Sequence, residues 1–327
     1  MNKLQEGPDI VERIKNRKVQ KLILIVVFMI VPLTLLIVFT YVPFASMFGY
    51  SFYRMKYIGE REWVGFENYI SVFTRDDTLD ALKNSLYYLG GAMVQLAIAL
   101  YLATVLSFKV KGGNVFKGLM FFPYLVNGIA LGFIFKFFYT RGFVLDSILQ
   151  FVGFNQESLP YWIKDQRINN ISLVATSVWR YFGQNMVLFI GAIMSVDEDM
   201  YEASYLDGAS KFQQTIYIIL PNIKTIVILN IILSITGSLS AFEPAYVITN
   251  GGVGTATYFV VMNEVAHVSQ KVGLASAMAI ILLIVLIIAT LLQKLLFKYV
   301  FSDSDNTELV AKRRQRGLER YKRRHQK

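Results

Sequence analysis

Long intervals without charged residues constrain this chain more than any other feature. A bilayer core about 30 Å thick is crossed by roughly 20 apolar residues in a helix. Helices are expected because hydrocarbon cannot satisfy free backbone groups, and because these intervals are too long for the alternating strands of a barrel. Six intervals qualify: residues 22–44, those between Lys83 and Lys109, those between Lys117 and Lys136, residues 168–196, interrupted only by Arg180, those between Lys224 and Glu243 with a continuation to Thr249, and residues 272–293.

The composition agrees with a polytopic membrane protein. Hydrophobic residues make up 54% of the chain and charged residues only 17%, against about 25% charged residues in a soluble domain. The absence of cysteine excludes a disulfide scaffold, a thiolate metal site and a cysteine nucleophile.

The first interval is longer than the roughly 7–15 apolar residues of a signal peptide, so we expect it to be retained. We therefore predict an all-α fold with six transmembrane helices in a domain spanning residues 22–301.

The distribution of lysine and arginine predicts the orientation. With a cytoplasmic N-terminus, the inner segments carry 22 basic residues and the outer segments 10. Basic residues concentrate on the cytoplasmic side of membrane proteins, so we expect both termini inside: a segment at residues 1–21 and a basic tail at residues 302–327. The 9 basic and 4 acidic residues of the tail favour contact with anionic membrane lipid over binding of nucleic acid.

Several chemistries lack the residues they need. The sequence contains no G-x-x-x-x-G-K-[ST] motif, so this chain does not cradle ATP in a P-loop. Its two histidines, His267 and His325, form no H-E-x-x-H motif and support no Ser/His/Asp set. Carboxylates are nearly missing from the predicted spans, which argues against a proton relay or a cation pump. We predict a transport subunit with no catalytic residue, no metal site and no bound cofactor.

The loop between the fourth and fifth predicted spans, residues 197–221, is too patterned for a plain connection. The spacing of Phe212, Ile216 and Ile219 predicts a short amphipathic second helix, and Pro221 suits the first turn of the next span. The first helix has several possible caps: the Ser195 and Glu198 pair, which has capping-box spacing, or Asp197, or Asp199.

This loop resembles the EAA loop of ABC-importer permeases. The resemblance rests on Glu202-Ala-Ser204, Asp207-Gly208 and Leu220-Pro221, spaced over roughly twenty residues. In that family the loop docks into a cleft on a separate ATPase subunit and transmits closure of the nucleotide sites to the membrane helices. Ser204 stands where the family most often has alanine, a small replacement. The resemblance implies that the ATPase-coupling residues are Glu202, Ala203, Ser204, Asp207 and Gly208.

The resemblance extends over nearly the whole chain and is strongest to the carbohydrate-uptake branch of that family. It is carried by Phe66-Glu-Asn-Tyr69, Leu82-Lys-Asn-Ser85, Phe122-Pro123 and Thr249-Asn-Gly-Gly252, with Val253 where the family often has proline. It implies the type I ABC-importer permease fold in a bacterial cell membrane and a carbohydrate substrate, with an oligosaccharide expected. The implied partners are a paralogous second permease, two ATPase subunits that use ATP and Mg, and an extracellular solute-binding protein.

Polar residues inside the fourth and fifth spans are candidates for the solute pathway. Such residues either form interhelical hydrogen bonds, contributing about 0.6 kcal/mol each, or face an aqueous cavity. Asn230, Ser234 and Ser238 form a stripe at i, i+4 and i+8. Counted from Glu202 and from Thr249, six positions match those that bind disaccharide in the similar maltose permease: Ser177, Arg180, Tyr181, Gln184, Ser234 and Ser238.

Arg180 is the one charge in the middle of a predicted span, and three roles are open to it. It can meet an anionic solute such as a uronate or a phosphate ester. It can pair with Glu243, or extend toward the outer interface.

Three other functions compete with this interpretation. A permease of the same family can carry a polyamine or another small solute, although Arg180 does not suit a polycation. A stand-alone secondary transporter or channel would need an ion-coupling site and would work without ATP. An integral membrane enzyme is the third alternative, but the sequence lacks the residues that catalysis would need.

Overall fold

The computed structural model describes residues 10–108 and 111–297. These residues fold into a bundle that is mostly helical, with one two-stranded hairpin near the end of the first long helix. Residues 1–9 of the predicted N-terminal segment and the predicted tail at 302–327 lie outside the described residues.

Thirteen helices are described, and three of them, α1, α10 and α12, run directly into a π-helical segment. The helices are α1 (Ile10–Leu36), α2 (Val42–Tyr50), α3 (Glu67–Thr74), α4 (Asp76–Ser107), α5 (Gly113–Leu125), α6 (Gly128–Tyr139), α7 (Val144–Phe151), α8 (Asn169–Met194), α9 (Glu198–Leu206), α10 (Lys211–Gln214), α11 (Leu220–Leu239), α12 (Tyr258–Asn263) and α13 (Val272–Phe297). The π segments are Ile37–Tyr41, Thr215–Ile219, Pro244–Ile248 and Glu264–Val268, and Gln156–Ser158 is a 3₁₀ turn. Strands β1 (Tyr53–Arg54) and β2 (Glu62–Trp63) pair antiparallel.

Four helices are long and apolar enough to cross a membrane: Val19–Tyr50, Asp76–Ser107, Lys211–Ile248 and Val272–Phe297. The pair α5 and α6 passes the same test together but is bent by 99°, and counting it as one span gives five. Helix α8 has 26 residues but is too polar to qualify, because its middle carries Arg180, Gln184 and Asn185. The predicted count of six is therefore not confirmed by length and apolarity.

Close packing around α8 builds the centre of the bundle. Helix α8 packs against α4 and α5, and two glycines mark where the backbones approach. A Cβ atom at Gly91 of α4 would lie 2.1 Å from Val174 Cγ1, and one at Gly183 of α8 would lie 1.8 Å from the Met120 carbonyl oxygen. Small residues allow helices to approach in this way inside a membrane.

We expect Gly183→Ala to lower the midpoint of thermal inactivation by about 5 °C, since overpacking costs about 1–3 kcal/mol. The obstructing atom is a backbone oxygen, so the clash can be relieved only by separating α5 from α8. Gly191→Ala, on the same helix with nothing within 4 Å of its Cβ position, is the matched control. A thermal-shift assay on the purified chain that gave equal midpoints for both variants would contradict this packing.

The first long helix stands apart from the rest of the bundle. Every residue from 19 to 45 is exposed within the described chain, and the exposed side chains are almost all apolar. Such a surface belongs in hydrocarbon or against another subunit rather than in water.

Two of the other spans are broken at points that lie close together in the bundle. Span three breaks between α5 and α6, where the Asn127 side chain accepts hydrogen bonds from the backbone of Ile129 and Ala130. The fifth breaks after α11, and its helical path resumes at Glu243. Both breaks adjoin Arg180 of α8, because a Cβ atom at Gly128 would lie 2.5 Å from Arg180 Nη1 and 2.9 Å from Glu243 Oε1.

Candidate functional site

The loop after α8 forms a short, well-capped helix. The Asp197 carboxylate accepts a hydrogen bond from the Asp199 backbone N–H at 3.1 Å and caps α9. The Ser195 hydroxyl instead donates to the Ala192 carbonyl at 2.7 Å. The structure therefore selects Asp197 among the possible caps, and the Ser195–Glu198 capping box is not the one that forms.

The turn after α9 depends on a glycine. Gly208 has φ +77°, the left-handed region in which a side chain costs about 1–2 kcal/mol. The chain then reverses, and the Ala209 N–H donates to the Ser204 carbonyl at 2.9 Å. Nothing lies within 4 Å of a Cβ atom built at Gly208, so this position is demanding in backbone conformation and open in space.

Ser204 links the two helices of the loop. Its hydroxyl donates to the Tyr201 carbonyl at 2.8 Å and accepts from the Gln214 side-chain amide at 2.9 Å. An alanine at this position would lose the bond to Gln214. A capping box that the sequence analysis missed, between Ser210 and Gln213, starts α10.

The predicted second helix does not end before Pro221. Helix α10 continues through the π segment Thr215–Ile219 into α11, so the loop and the span form one continuous helix. Pro221 lacks a backbone N–H, and a π turn just before it shifts the bonding pattern, since the Leu220 N–H bonds to the Thr215 carbonyl. Pro221 lies in the first turn of α11, as predicted, but the helix before it was not expected to run into that turn without a break.

The five predicted coupling residues lie together on α9 and its turn. Ser204 is half-buried and the other four, Glu202, Ala203, Asp207 and Gly208, are exposed. Sequence reasoning missed the large apolar side chains among them. Tyr205 is 76% exposed and Leu206 84%, and contiguous exposed apolar surface marks interaction sites.

A hollow of about 1,000 Å³ opens beside α9. Its wall includes Tyr201 and Lys211, whose Nζ lies 4.8 Å from the ring centre of Phe108 at the end of α4. Burial raises the pKa of Tyr201 above its ordinary value. The loop therefore offers both a protruding helix and an adjoining recess.

A second cavity, about 310 Å³ in volume, lies inside the bundle between α4, α8 and α11. Its volume is at the lower end of the roughly 300–1,000 Å³ of small-molecule sites. Five of the six predicted pathway residues line it: Ser177, Tyr181, Gln184, Ser234 and Ser238. Arg180 is not among the lining residues.

The predicted polar stripe on the fifth span is divided in the structure. Ser234 and Ser238 line the cavity, whereas Asn230 is buried away from it. The Asn230 amide donates to the Ile226 carbonyl at 2.9 Å, and the Ser238 hydroxyl donates to the Ser234 carbonyl at 2.6 Å. These hydrogen bonds stay within one helix, so neither of the two supports the interpretation as interhelical contacts.

Helix α4 contributes residues that sequence reasoning missed. Tyr88 and Gln95 line the cavity and are each 4% exposed. The Tyr88 hydroxyl is buried without a hydrogen-bond partner in the described chain. Gln95 is a polar residue inside an apolar span, and from this feature the sequence could have predicted that α4 forms part of the cavity wall.

Of the three roles open to Arg180, the structure shows the pair with Glu243. Arg180 Nη1 lies 3.5 Å from Glu243 Oε1, and the guanidinium carbon lies 5.0 Å from the ring centre of Tyr181. Glu243 lines the cavity, so the cation lies behind the carboxylate.

Comparison with known proteins gives this geometry a context. Residues 95–301 match the family described as binding-protein-dependent transport system inner membrane component. The chain is 30% identical over 259 residues to the arabinooligosaccharides transport system permease protein AraP of Bacillus subtilis, covering 76% of this chain and 80% of that protein. It is also 30% identical over 273 residues to the diacetylchitobiose uptake system permease protein NgcF of Streptomyces coelicolor, covering 78% and 76%.

The fold is found in a solved structure. The crystal structure of a bacterial ABC transporter involved in the import of the acidic polysaccharide alginate contains a chain that superposes with a TM-score of 0.76. The match covers 87% of this chain and 98% of that one at 16% sequence identity. At that identity the likeness establishes the fold alone.

Proposed function

The chain belongs to the binding-protein-dependent transport system inner membrane components, and we propose that it is the permease subunit of an ATP-driven importer that moves an oligosaccharide. Homologues that carry arabinooligosaccharides and diacetylchitobiose support a carbohydrate substrate. One observation carries the transport assignment: an exposed, capped helix with the EAA-type motif lies at one end of a bundle that contains a cavity with several polar side chains in its wall.

We propose six spans for the domain at residues 22–301: the four long apolar helices, the bent pair α5–α6, and α8. At about 1.5 Å per residue, the 26 residues of α8 extend roughly 39 Å, which is enough to cross. Its polar residues Ser177, Tyr181 and Gln184 line the cavity, which explains its low apolarity. Six spans put residues 1–21, the α9 loop and the tail at 302–327 on one side, and the basic residues favour the cytoplasm.

Transport is driven through α9. In this proposal α9, with Tyr205 and Leu206 as its apolar contacts, inserts into a cleft on an ATPase subunit that binds ATP and Mg. Because α10 continues directly into α11, a displacement of the loop is passed to the helix that carries Ser234 and Ser238. Coupling requires that the loop contacts differ in free energy between the two states of the transporter.

The assembly contains further partners. We propose a paralogous second permease, two ATPase subunits and an extracellular solute-binding protein, with lipid around the complex. The exposed apolar surface of the Val19–Tyr50 helix is suited to lipid or to the second permease. Substrates such as a polyamine are disfavoured because Glu243, the one carboxylate among the described residues that line the cavity, is already paired with Arg180.

Co-purification tests the proposal. An affinity-tagged copy of the chain, extracted in mild detergent, is expected to bring down an ATPase subunit and a second permease in stoichiometric amounts. In cells, oligosaccharide uptake should stop when ATP is depleted with the ion gradients held constant. Uptake that continued after ATP depletion, or a chain that moved the sugar alone in vesicles, would favour a secondary transporter.

A further inference from the structure

The charged group that faces the cavity between α4, α8 and α11 is a carboxylate. Among the described residues that line it, Glu243 alone carries a charged side chain. Its side chain is 39% exposed, whereas that of Arg180 is 15% exposed. The cation that sequence reasoning assigned to the solute pathway is therefore screened from the cavity by its partner.

Two neighbours contact the Glu243 carboxylate and fix its position. Arg180 Nη1 lies 3.5 Å from Oε1, and Arg180 Nε is buried with no hydrogen-bond partner in the described chain. Helix α6 begins at Gly128, next to the same carboxylate, and the start of a helix favours negative charge. Removing one member of this partly buried ion pair would leave the other without its partner.

The chemistry of a fixed carboxylate discriminates between sugars. An ionised carboxylate only accepts hydrogen bonds, and sugar hydroxyls donate them. Such charge-assisted bonds are roughly twice as strong as neutral ones. A uronate in the cavity would bring a second carboxylate nearer to Glu243, which lines the cavity, than to Arg180, which does not, and the two like charges would repel each other.

We propose that Glu243 selects uncharged oligosaccharides by accepting hydrogen bonds from their hydroxyls and repelling acidic sugars, and that Arg180 is a positioning residue that holds its carboxylate. This inference rests on the proposed function, because it specifies the substrate of the same cavity. It replaces the role of Arg180 as a direct contact for an anionic solute.

A single cysteine can report occupancy of the cavity. The chain has no cysteine, Gly237 lines the cavity, and nothing lies within 4 Å of a Cβ atom built there. In the purified complex carrying Gly237→Cys, maleimide labelling of this chain is measured against neutral malto-, arabino- and chito-oligosaccharides and against trigalacturonate. We expect a neutral sugar to protect the cysteine and trigalacturonate to leave it reactive.

Variants of the ion pair then test the two roles. Glu243→Gln should raise the neutral sugar concentration for half-protection about tenfold and make trigalacturonate protective, because Arg180 is left uncompensated. That gain should disappear when Arg180→Gln is added. Arg180→Gln alone should weaken protection by the neutral sugar, and Arg180→Lys should restore part of it. Glu157→Gln, in an exposed loop, is the matched control and should resemble the parent.

The outcomes separate this inference from the proposed function. Sugar-stimulated ATP hydrolysis by the complex with its binding protein reports the proposed function by itself. Trigalacturonate protection of the parent, or unchanged protection in Glu243→Gln, would overturn the role of Glu243 even where stimulation persists. If Glu243→Gln does not assemble, Glu243→Asp is expected to keep the preference for neutral sugars, and loss of that preference would count against the inference. Absence of both protection and stimulation would overturn the proposed function as well.

Discussion

Gly208→Trp is expected to reduce ATP-driven uptake by about 100-fold or more, since loss of one central contact costs an interface several kcal/mol. Gly208 lies in the turn that ends α9, and its surroundings are open, so an indole there would project from the loop without disturbing the bundle. It would prevent α9 from entering the ATPase cleft. The measurement is uptake of labelled oligosaccharide, together with the amount of ATPase that co-purifies with the tagged chain.

Backbone strain must be separated from the block to docking. Gly208 has φ +77°, so any side chain at this position costs some free energy. Gly208→Asn is the control, because asparagine tolerates the left-handed region better than most residues and is small. It should retain most of the uptake and of the bound ATPase. If the tryptophan variant also retained both, α9 would not be the docking element.

The sequence was most informative where a property is local. Uncharged intervals located the four long apolar helices and the bent pair α5–α6, because apolarity is a property of consecutive residues. The cap at Asp197 was among the expected alternatives for the same reason. Its side chain accepts a hydrogen bond from a backbone N–H only two residues ahead, so the cap does not depend on contacts with distant parts of the chain. The continuous helix through Pro221 was missed, because a proline signals a missing N–H but not the π turn that accommodates it.

The cavity shows where local reasoning ends. Periodicity grouped Asn230 with Ser234 and Ser238, yet only the two serines reach the cavity, because the approach of α4 and α8 decides which part of α11 is covered. Tyr88 became a lining residue through the α4–α8 contact at Gly91 and Val174, which joins residues 83 positions apart. Likewise the sequence left three roles for Arg180, and only the breaks in spans three and five bring Glu243 within 3.5 Å of it.

The second large effect is expected from filling the cavity. Gly237→Trp would place the largest side chain in a space of about 310 Å³, at a position where nothing obstructs its Cβ atom. Crowding the solute in the filled space is expected to cost about as much as overpacking a core, about 1–3 kcal/mol, which corresponds to roughly a 5- to 150-fold loss of solute occupancy. Uptake should fall by that factor, while the ATPase should still co-purify and hydrolyse ATP at its unstimulated rate, because α9 is unchanged.

Gly90→Trp controls for the added bulk. Gly90 is an exposed position on α4 with nothing within 4 Å of its Cβ position. It lies about 200° around the helix from the lining residue Tyr88, so its indole would project away from the cavity and leave uptake close to that of the parent. The pair of variants thus differs in where the indole points, not in its size. Loss of uptake only in Gly237→Trp, with the ATPase bound in both, would place the solute path in this cavity. Equal uptake by the two variants would mean that the solute crosses elsewhere, and the lining residues Ser177, Tyr181 and Gln184 would then owe their polarity to packing alone.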